Sequence, residues 1–203
     1  MSKKPIIVFE GIEGSGKSYH INNVANYLKK KNIRFIKIRE PGGNKNSEKI
    51  RDLILDNKST FNKNTDLLLY LSSRSENIDL IKKNIGKKII LIDRFVDSTI
   101  AYQHYGMGVD IKLINIINKF LLKGININFT FLNLVNDKNM QLRLAKRKNL
   151  NRYDKFNTKF YKKVQKGFLE IANANQRKYM KIDSNLDIII NKKIILDKIG
   201  ALI

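Results

Sequence analysis

The chain of 203 residues carries a formal net charge of +22, with 42% hydrophobic residues, no cysteine and two histidines. That length suits one domain with small inserted pieces, the apolar fraction suffices for a packed core, and no apolar run approaches the ~20 residues that cross a bilayer. Without cysteine there are no disulfides or thiolate metal sites, and His20 and His104 are too few for a histidine-built zinc centre.

In chain order, Met1 to Pro5 lead straight into an apolar stretch with no charged-then-apolar export signal, so a soluble, cytoplasmic protein is expected. Residues 6–9 (IIVF), 35–38 (FIKI), 89–92 (IILI), 129–132 (FTFL) and 180–182 (MKI) read as short strands rich in β-branched and aromatic residues. Between them apolar residues recur at helical spacing, as in Ile21, Val24, Ala25, Leu28 and Leu113, Ile114, Ile117, Leu121. Strand–helix alternation predicts an α/β three-layer sandwich: a mostly parallel five-stranded sheet with helices on both faces and ligands at the carboxyl ends of the strands. Two stretches fit the scheme poorly. Residues 39–47, with Pro41-Gly42-Gly43, read as a loop, and residues 146–155 as an exposed basic flap between two helices. No repeat or Gly/Ser/Pro-rich linker divides the chain, so 1–203 reads as one domain with the flap as its lid. Lysines are spread along the whole chain, with Asn and Ile also abundant, which marks compositional drift rather than a nucleic-acid-binding arm.

The strongest local signal is Gly11-Ile12-Glu13-Gly14-Ser15-Gly16-Lys17-Ser18, a glycine, four residues, then Gly-Lys-Ser. Glycines let successive backbone N–H groups turn inward as an anion nest, and the helix that follows adds its positive N-terminal end. Lys17 supplies a cation to the β- and γ-phosphates of a nucleotide, and Ser18 an oxygen to Mg²⁺. The motif sits between an apolar strand and an amphipathic helix, as a P-loop NTPase-type nest requires. A second apolar strand, Lys87 to Ile92, ends in Asp93, a carboxylate placed to reach Mg²⁺ through water or to hold the phosphate loop. There is no Asn-Lys-x-Asp guanine-reading motif, and the chain is too short for the paired cores of a helicase. Small kinases of nucleotides or metabolites remain.

Six elements in order resemble bacterial thymidylate kinases across essentially the whole chain: Phe9-Glu10 running into the phosphate loop, Arg39-Glu40-Pro41-Gly42-Gly43, Arg51, Leu69-Tyr70-Leu71-Ser72-Ser73-Arg74, Asp93-Arg94-Phe95 with Ser98 and Ala101-Tyr102-Gln103, and Arg147 with Arg152-Tyr153-Asp154. The resemblance implies an ATP- and Mg²⁺-dependent kinase of thymidine monophosphate (dTMP), acting as a homodimer, with no membrane and no specific nucleic acid as partner. It implies that Arg51 and Arg94 grip the acceptor phosphate, with Arg39 and Pro41 nearby; guanidinium forks suit phosphate oxygens. By the same resemblance Tyr70 stacks on thymine, Arg74 hydrogen-bonds the base edge, and Glu13 lies near the 3′-hydroxyl. Ser98, Tyr102 and Gln103 line the sugar and base pocket. Some members carry a catalytic arginine after the phosphate-loop carboxylate. Here Gly14 stands there, which shifts the task to Arg147 or Arg152, with Arg143 one helical turn before Arg147. Two departures stand out: His104-Tyr105-Gly106-Met107-Gly108 replaces a glycine-rich continuation with an arginine, and Asn44 stands where Thr is common. Two other readings stay open: another nucleoside or nucleotide kinase on the same fold, and a basic nucleic-acid-binding protein that uses ATP as a switch.

Overall fold

The computed structural model describes residues 4–203; residues 1–3, the start of the segment read for an export signal, lie outside them. Five strands, β1 (Ile6–Glu10), β2 (Phe35–Arg39), β3 (Ile89–Asp93), β4 (Phe129–Leu134) and β5 (Tyr179–Asp183), form one parallel sheet in the order β2-β3-β1-β4-β5. The five segments read as strands are these five. The three central ones are buried along nearly their whole length, while β2 and β5 at the edges are partly exposed. That is the pattern of a sheet covered on both faces.

Alternation along each strand assigns the faces. Ile7, Phe9, Leu91 and Phe131 pack with Ile21, Val24 and Leu28 of α1 (Lys17–Lys30) and with Ile195 and Ile199 of α8 (Ile188–Leu202). Ile6, Val8, Ile90 and Ile92 point the other way, onto Ile78 and Ile81 of α3 (Lys63–Asn84). Farther along that face, Leu132 packs with Tyr161, Val164 and Phe168 of α7 (Thr158–Ala174). The helical stripe expected over 113–121 falls on α5 (Ile111–Leu121), turned slightly from expectation: Ile114 is buried, but Leu113 is exposed.

Asparagine, abundant by composition, serves the helix starts. Asn44 caps α2 (Lys45–Leu55) through Asn46 N and Ser47 N, and Asn62, Asn136 and Asn157 cap α3, α6 (Asp137–Ala145) and α7 likewise. Asn44 also donates to Glu76 O and Asn77 Oδ1, so its amide both caps α2 and ties it to α3. After β3, the short α4 (Val96–Thr99) runs into a π-helical turn, Ile100–Gly106. The wider turn brings consecutive Ala101, Tyr102 and Gln103 into the interior. The carboxyl ends of β1, β2 and β3 carry Glu10, Arg39 and Asp93 to one edge, where the cleft opens.

Candidate active site

The loop after β1 is held by backbone conformation. Gly11 has φ 137° and an added Cβ would lie 2.3 Å from the carbonyl oxygen of Asn133. Gly14 has φ 71°, and a Cβ there would face Met140 O and the Arg143 Cβ of α6 at 3.3 and 3.5 Å. A side chain at this position would be strained by the positive φ and would sit tight against Met140 O of α6. Lys17 Nζ donates to Gly11 O and Ile12 O, both at 2.8 Å, and to Ser15 Oγ at 3.2 Å, spanning the loop it follows. Burial, then the neighbouring Arg94 charge, push the Lys17 ammonium down to about 7, against the opposing pull of Asp93, Glu13 and Glu10. Ser18 Oγ donates to Asp93 Oδ2 at 3.1 Å at the cleft floor. Two hard oxygen donors this close suit a Mg²⁺ ion that keeps most of its shell for water and phosphate. Among the described residues no group of three or more His, Asp or Glu is gathered to hold a metal alone.

Opposite the loop, one cavity is lined by Glu13, Lys17, Ser18, Arg39, Pro41, Arg51, Tyr70, Asp93, Arg94, Ser98, Tyr102, Gln103 and Arg147. Arg94, a non-glycine residue at φ 65°, bridges the two sides. Its Nη1 donates to Gly11 O at 2.9 Å, its Nη2 to Glu13 Oε1 at 2.8 Å, and its guanidinium lies 5.2 Å from the Tyr102 ring centre. Burial works against the Glu13 charge, but Arg94 and then Lys17 outweigh it and hold this carboxyl below the usual range. Tyr102 donates to the other Glu13 oxygen. Arg51 donates to Pro41 O at 2.6 Å, across the cis Glu40–Pro41 peptide, and Arg39 forks onto Glu48 at 3.3 and 2.7 Å. Three guanidinium groups thus face one space beside the nest, an arrangement for a second phosphate. Tyr70 meets Tyr153 edge to face, with ring centres 5.7 Å apart.

The segment read as an exposed flap divides in two. Residues 146–150 are exposed, whereas Tyr153 and Asp154 are buried. Arg147 pairs with Asp154, whose other oxygen takes Asn151 N and Nδ2. Arg152 turns the other way: it pairs with buried Asp66 and donates from Nε to Ile54 O at 3.0 Å, and it does not line the cavity. Arg143 is committed to Gly14 O and Ser184 O at 2.8 and 2.6 Å, bracing the phosphate loop. Of the lid arginines, Arg147 is the one on the cavity.

A family model described as thymidylate kinase matches residues 9–195. The chain belongs to the thymidylate kinase family. The thymidylate kinase of Sulfurihydrogenibium sp. (strain YO3AOP1) is 38% identical over 196 residues, covering 95% of both chains. That of Wolbachia sp. subsp. Brugia malayi (strain TRS) is 39% identical over 170 residues, 82% of this chain and 80% of that one. The crystal structure of thymidylate kinase from Ehrlichia chaffeensis matches with a TM-score of 0.78 and 30% identity, over 98% of this chain and 99% of that chain.

Arg74, expected at the base edge, is engaged by other residues of the protein. Arg74 is 1% exposed and absent from the cavity wall. Its guanidinium donates to Glu40 Oε2, Asn118 Oδ1, Phe95 O and Thr99 Oγ1, all within 2.9 Å. The guanidinium ties α3 to the Pro41 loop, α4 and α5, and its expected contact with a base edge belongs to the proposed function. Two acids were not foreseen. Glu10, fully buried, accepts from Phe95 N at 2.7 Å, Ser98 N at 3.3 Å and Ser98 Oγ at 2.5 Å, fixing the start of α4 beside Arg94. Burial, then the Asp97 charge, raise its carboxyl to about 7. Asp66 lies in the first turn of α3, where an acidic residue is ordinary; nothing in the local sequence marks it.

Proposed function

We propose that the protein transfers the γ-phosphoryl group of ATP to dTMP, giving ADP and dTDP, as one nucleoside-monophosphate kinase domain with residues 146–155 as its lid. The observation that carries this is Arg94, tethered at once to the phosphate loop through Gly11 and to Glu13, with Arg51, Arg39 and Tyr70 sharing its cavity. The nest holds the polyphosphate of ATP, and Lys17 moves from loop carbonyls to the β- and γ-oxygens. Ser18 and Asp93 would hold Mg²⁺, which offsets charge on the transferred group. Arg51 and Arg94 hold the acceptor phosphate, already anionic, so in-line attack needs no general base. Tyr70 stacks on the base, with Ser98, Tyr102 and Gln103 around the sugar and ring. Arg147, on the exposed half of the lid, supplies positive charge as the transfer proceeds.

The test is the ADP yield of purified protein with dTMP, UMP, CMP, AMP and GMP as acceptors. If dTMP gave no more ADP than the others, the assignment would be wrong. The proposal includes a cytoplasmic homodimer. No helix among the described residues is long and apolar enough to cross a membrane. Leu68 on α3 and Leu113, Ile116 and Phe120 on α5 stand exposed, Phe120 at 79%, and α3 packs on α5. A second copy covering this face is the expected occupant, and light scattering would report its mass.

A further inference from the structure

Asp66 is 1% exposed and does not line the cavity, yet two cavity-lining residues are held by it. Its Oδ1 takes Arg152. Its Oδ2 takes the hydroxyl proton of Tyr153 and, at 3.2 Å, Gln103 Nε2. With the Tyr153 proton directed at Asp66, the Tyr153 oxygen accepts the second N–H of Gln103 at 3.4 Å. A carboxylate only accepts, so this neighbour fixes which end of the Gln103 amide faces it. Both amide hydrogens are engaged, one on Asp66 and one on Tyr153. The remaining polar atom, Oε1, is buried without a hydrogen-bond partner. An unpaired buried acceptor is costly, and a ligand that supplies a donor relieves the cost.

We propose that Asp66 is a specificity-determining positioning residue: by locking the Gln103 amide it leaves the cavity an acceptor, which selects a base with a ring N–H donor against one with a lone pair there. Thymine and uracil carry that donor at N3. Cytosine presents a lone pair at N3, so two acceptors would oppose each other. Because Tyr153 and Arg152 also end on Asp66, the anchored half of the lid is part of the same base-reading unit. The inference rests on the dTMP assignment above and deepens it.

The experiment compares kcat/KM for dTMP, dUMP and dCMP, with saturating ATP and Mg²⁺, in the wild type, Asp66→Asn and Gln103→Leu. The wild type should favour dTMP and dUMP over dCMP by ~10³-fold or more, as sites built around one hydrogen bond do. Asp66→Asn offers a donor where only an acceptor stood, so the Gln103 amide is free to turn. The dTMP:dCMP ratio should then fall by ~10-fold or more, about the worth of one such bond. General loosening of the cavity would lower both substrates together and leave the ratio unmoved. A folded Asp66→Asn protein whose ratio stays within about 2-fold of wild type overturns the inference. Should that variant fail to fold, Gln103→Leu decides, since it leaves Asp66 with Arg152 and Tyr153. It should lower dTMP and dUMP turnover toward that of dCMP; a retained dTMP preference overturns the inference. A wild type inactive on dTMP would instead remove the assignment on which both rest, so the two failures are distinguishable.

Discussion

The two sides of the cleft are made of different material. The phosphate loop is backbone: glycines in left-handed or extended positive-φ conformations, with a lysine that ties their carbonyls together. The acceptor side is side chain: Arg94 on Glu13, Arg74 on Glu40 and Arg152 on Asp66 each join segments distant in sequence, and Arg39 on Glu48 adds an exposed local pair. A backbone-built region fails when a Cβ is added and tolerates much else. A region built from paired charges fails when one partner is removed, because the other remains buried and uncompensated.

The largest contrast is expected within the loop itself. Gly11→Ala places a methyl 2.3 Å from Asn133 O in a backbone conformation that L residues rarely adopt, so the loss is structural and should appear as a large drop in thermal midpoint. Lys17→Ala leaves every backbone angle permitted, so the fold should persist by circular dichroism while kcat falls by ~10²–10³-fold or more. A Lys17→Ala enzyme with near-normal turnover would rule out this loop as the phosphate site.

The lid offers the next comparison. Arg147 is 40% exposed and faces the cavity, whereas Arg152 is 15% exposed and paired with an Asp66 that is 1% exposed. Arg147→Ala should depress kcat with little change in dTMP affinity, the signature of an interaction made in the transition state. Arg152→Ala leaves Asp66 without its cation and should cost about 3–5 kcal/mol of stability, read from denaturant midpoints. If Arg152→Ala were stable and catalytically dead, the roles given to the two arginines would be reversed.

The same difference explains what the sequence made legible. Five strands were visible because β-branched runs bounded by polar segments have few other readings. The phosphate loop was visible because backbone geometry demands glycine at fixed spacing within eight residues. The acceptor residues were placed through resemblance, and most of them do meet in one cavity. The ties of Arg74 were not legible, because its partners lie 21 to 44 residues away and no local pattern marks a guanidinium held by Glu40 and Asn118. Glu10 escaped for the same reason, with Ser98 and Phe95 more than 80 residues on. The flap was read as uniformly exposed because Arg152, Tyr153 and Asp154 are polar-looking; their burial follows from Asp66, which only the fold brings near.

Glu10 gives the paired-charge side a pH dependence of its own. Its carboxyl titrates at about 7 in the folded protein against an ordinary 4.5. Between those values the folded state binds the proton and the unfolded state does not, so this contribution to stability is present below about pH 4.5 and is lost as pH rises to about 7. Glu10→Gln cannot titrate. It should flatten the fall of thermal midpoint across that window, while still accepting from Phe95 N. An unchanged slope would mean that Glu10 is not the group responsible.

The smallest expected effect returns to Lys17. Burial and Arg94 hold its ammonium near about 7, so in the free enzyme at pH 8 much of it is neutral. Neutral amine offers two donors for Gly11 O and Ile12 O and a lone pair to which the Ser15 hydroxyl can donate, so the loop accommodates it. A polyphosphate in the nest adds negative charge beside it and favours the protonated form, so binding should draw a proton from solution. Calorimetry of ATP binding at pH 8 in buffers of different ionisation enthalpy measures that uptake as a fraction of one proton per site. The uptake should shrink toward pH 6, where Lys17 is already charged, and should be reduced in Lys17→Arg, whose guanidinium stays protonated at both pH values. Titration of the nucleotide's own phosphate works in the opposite sense, releasing protons on binding near pH 6 to 7, so net uptake that grows with pH isolates the lysine. Binding heats independent of buffer at pH 8 would show that the loop charges Lys17 before the nucleotide arrives.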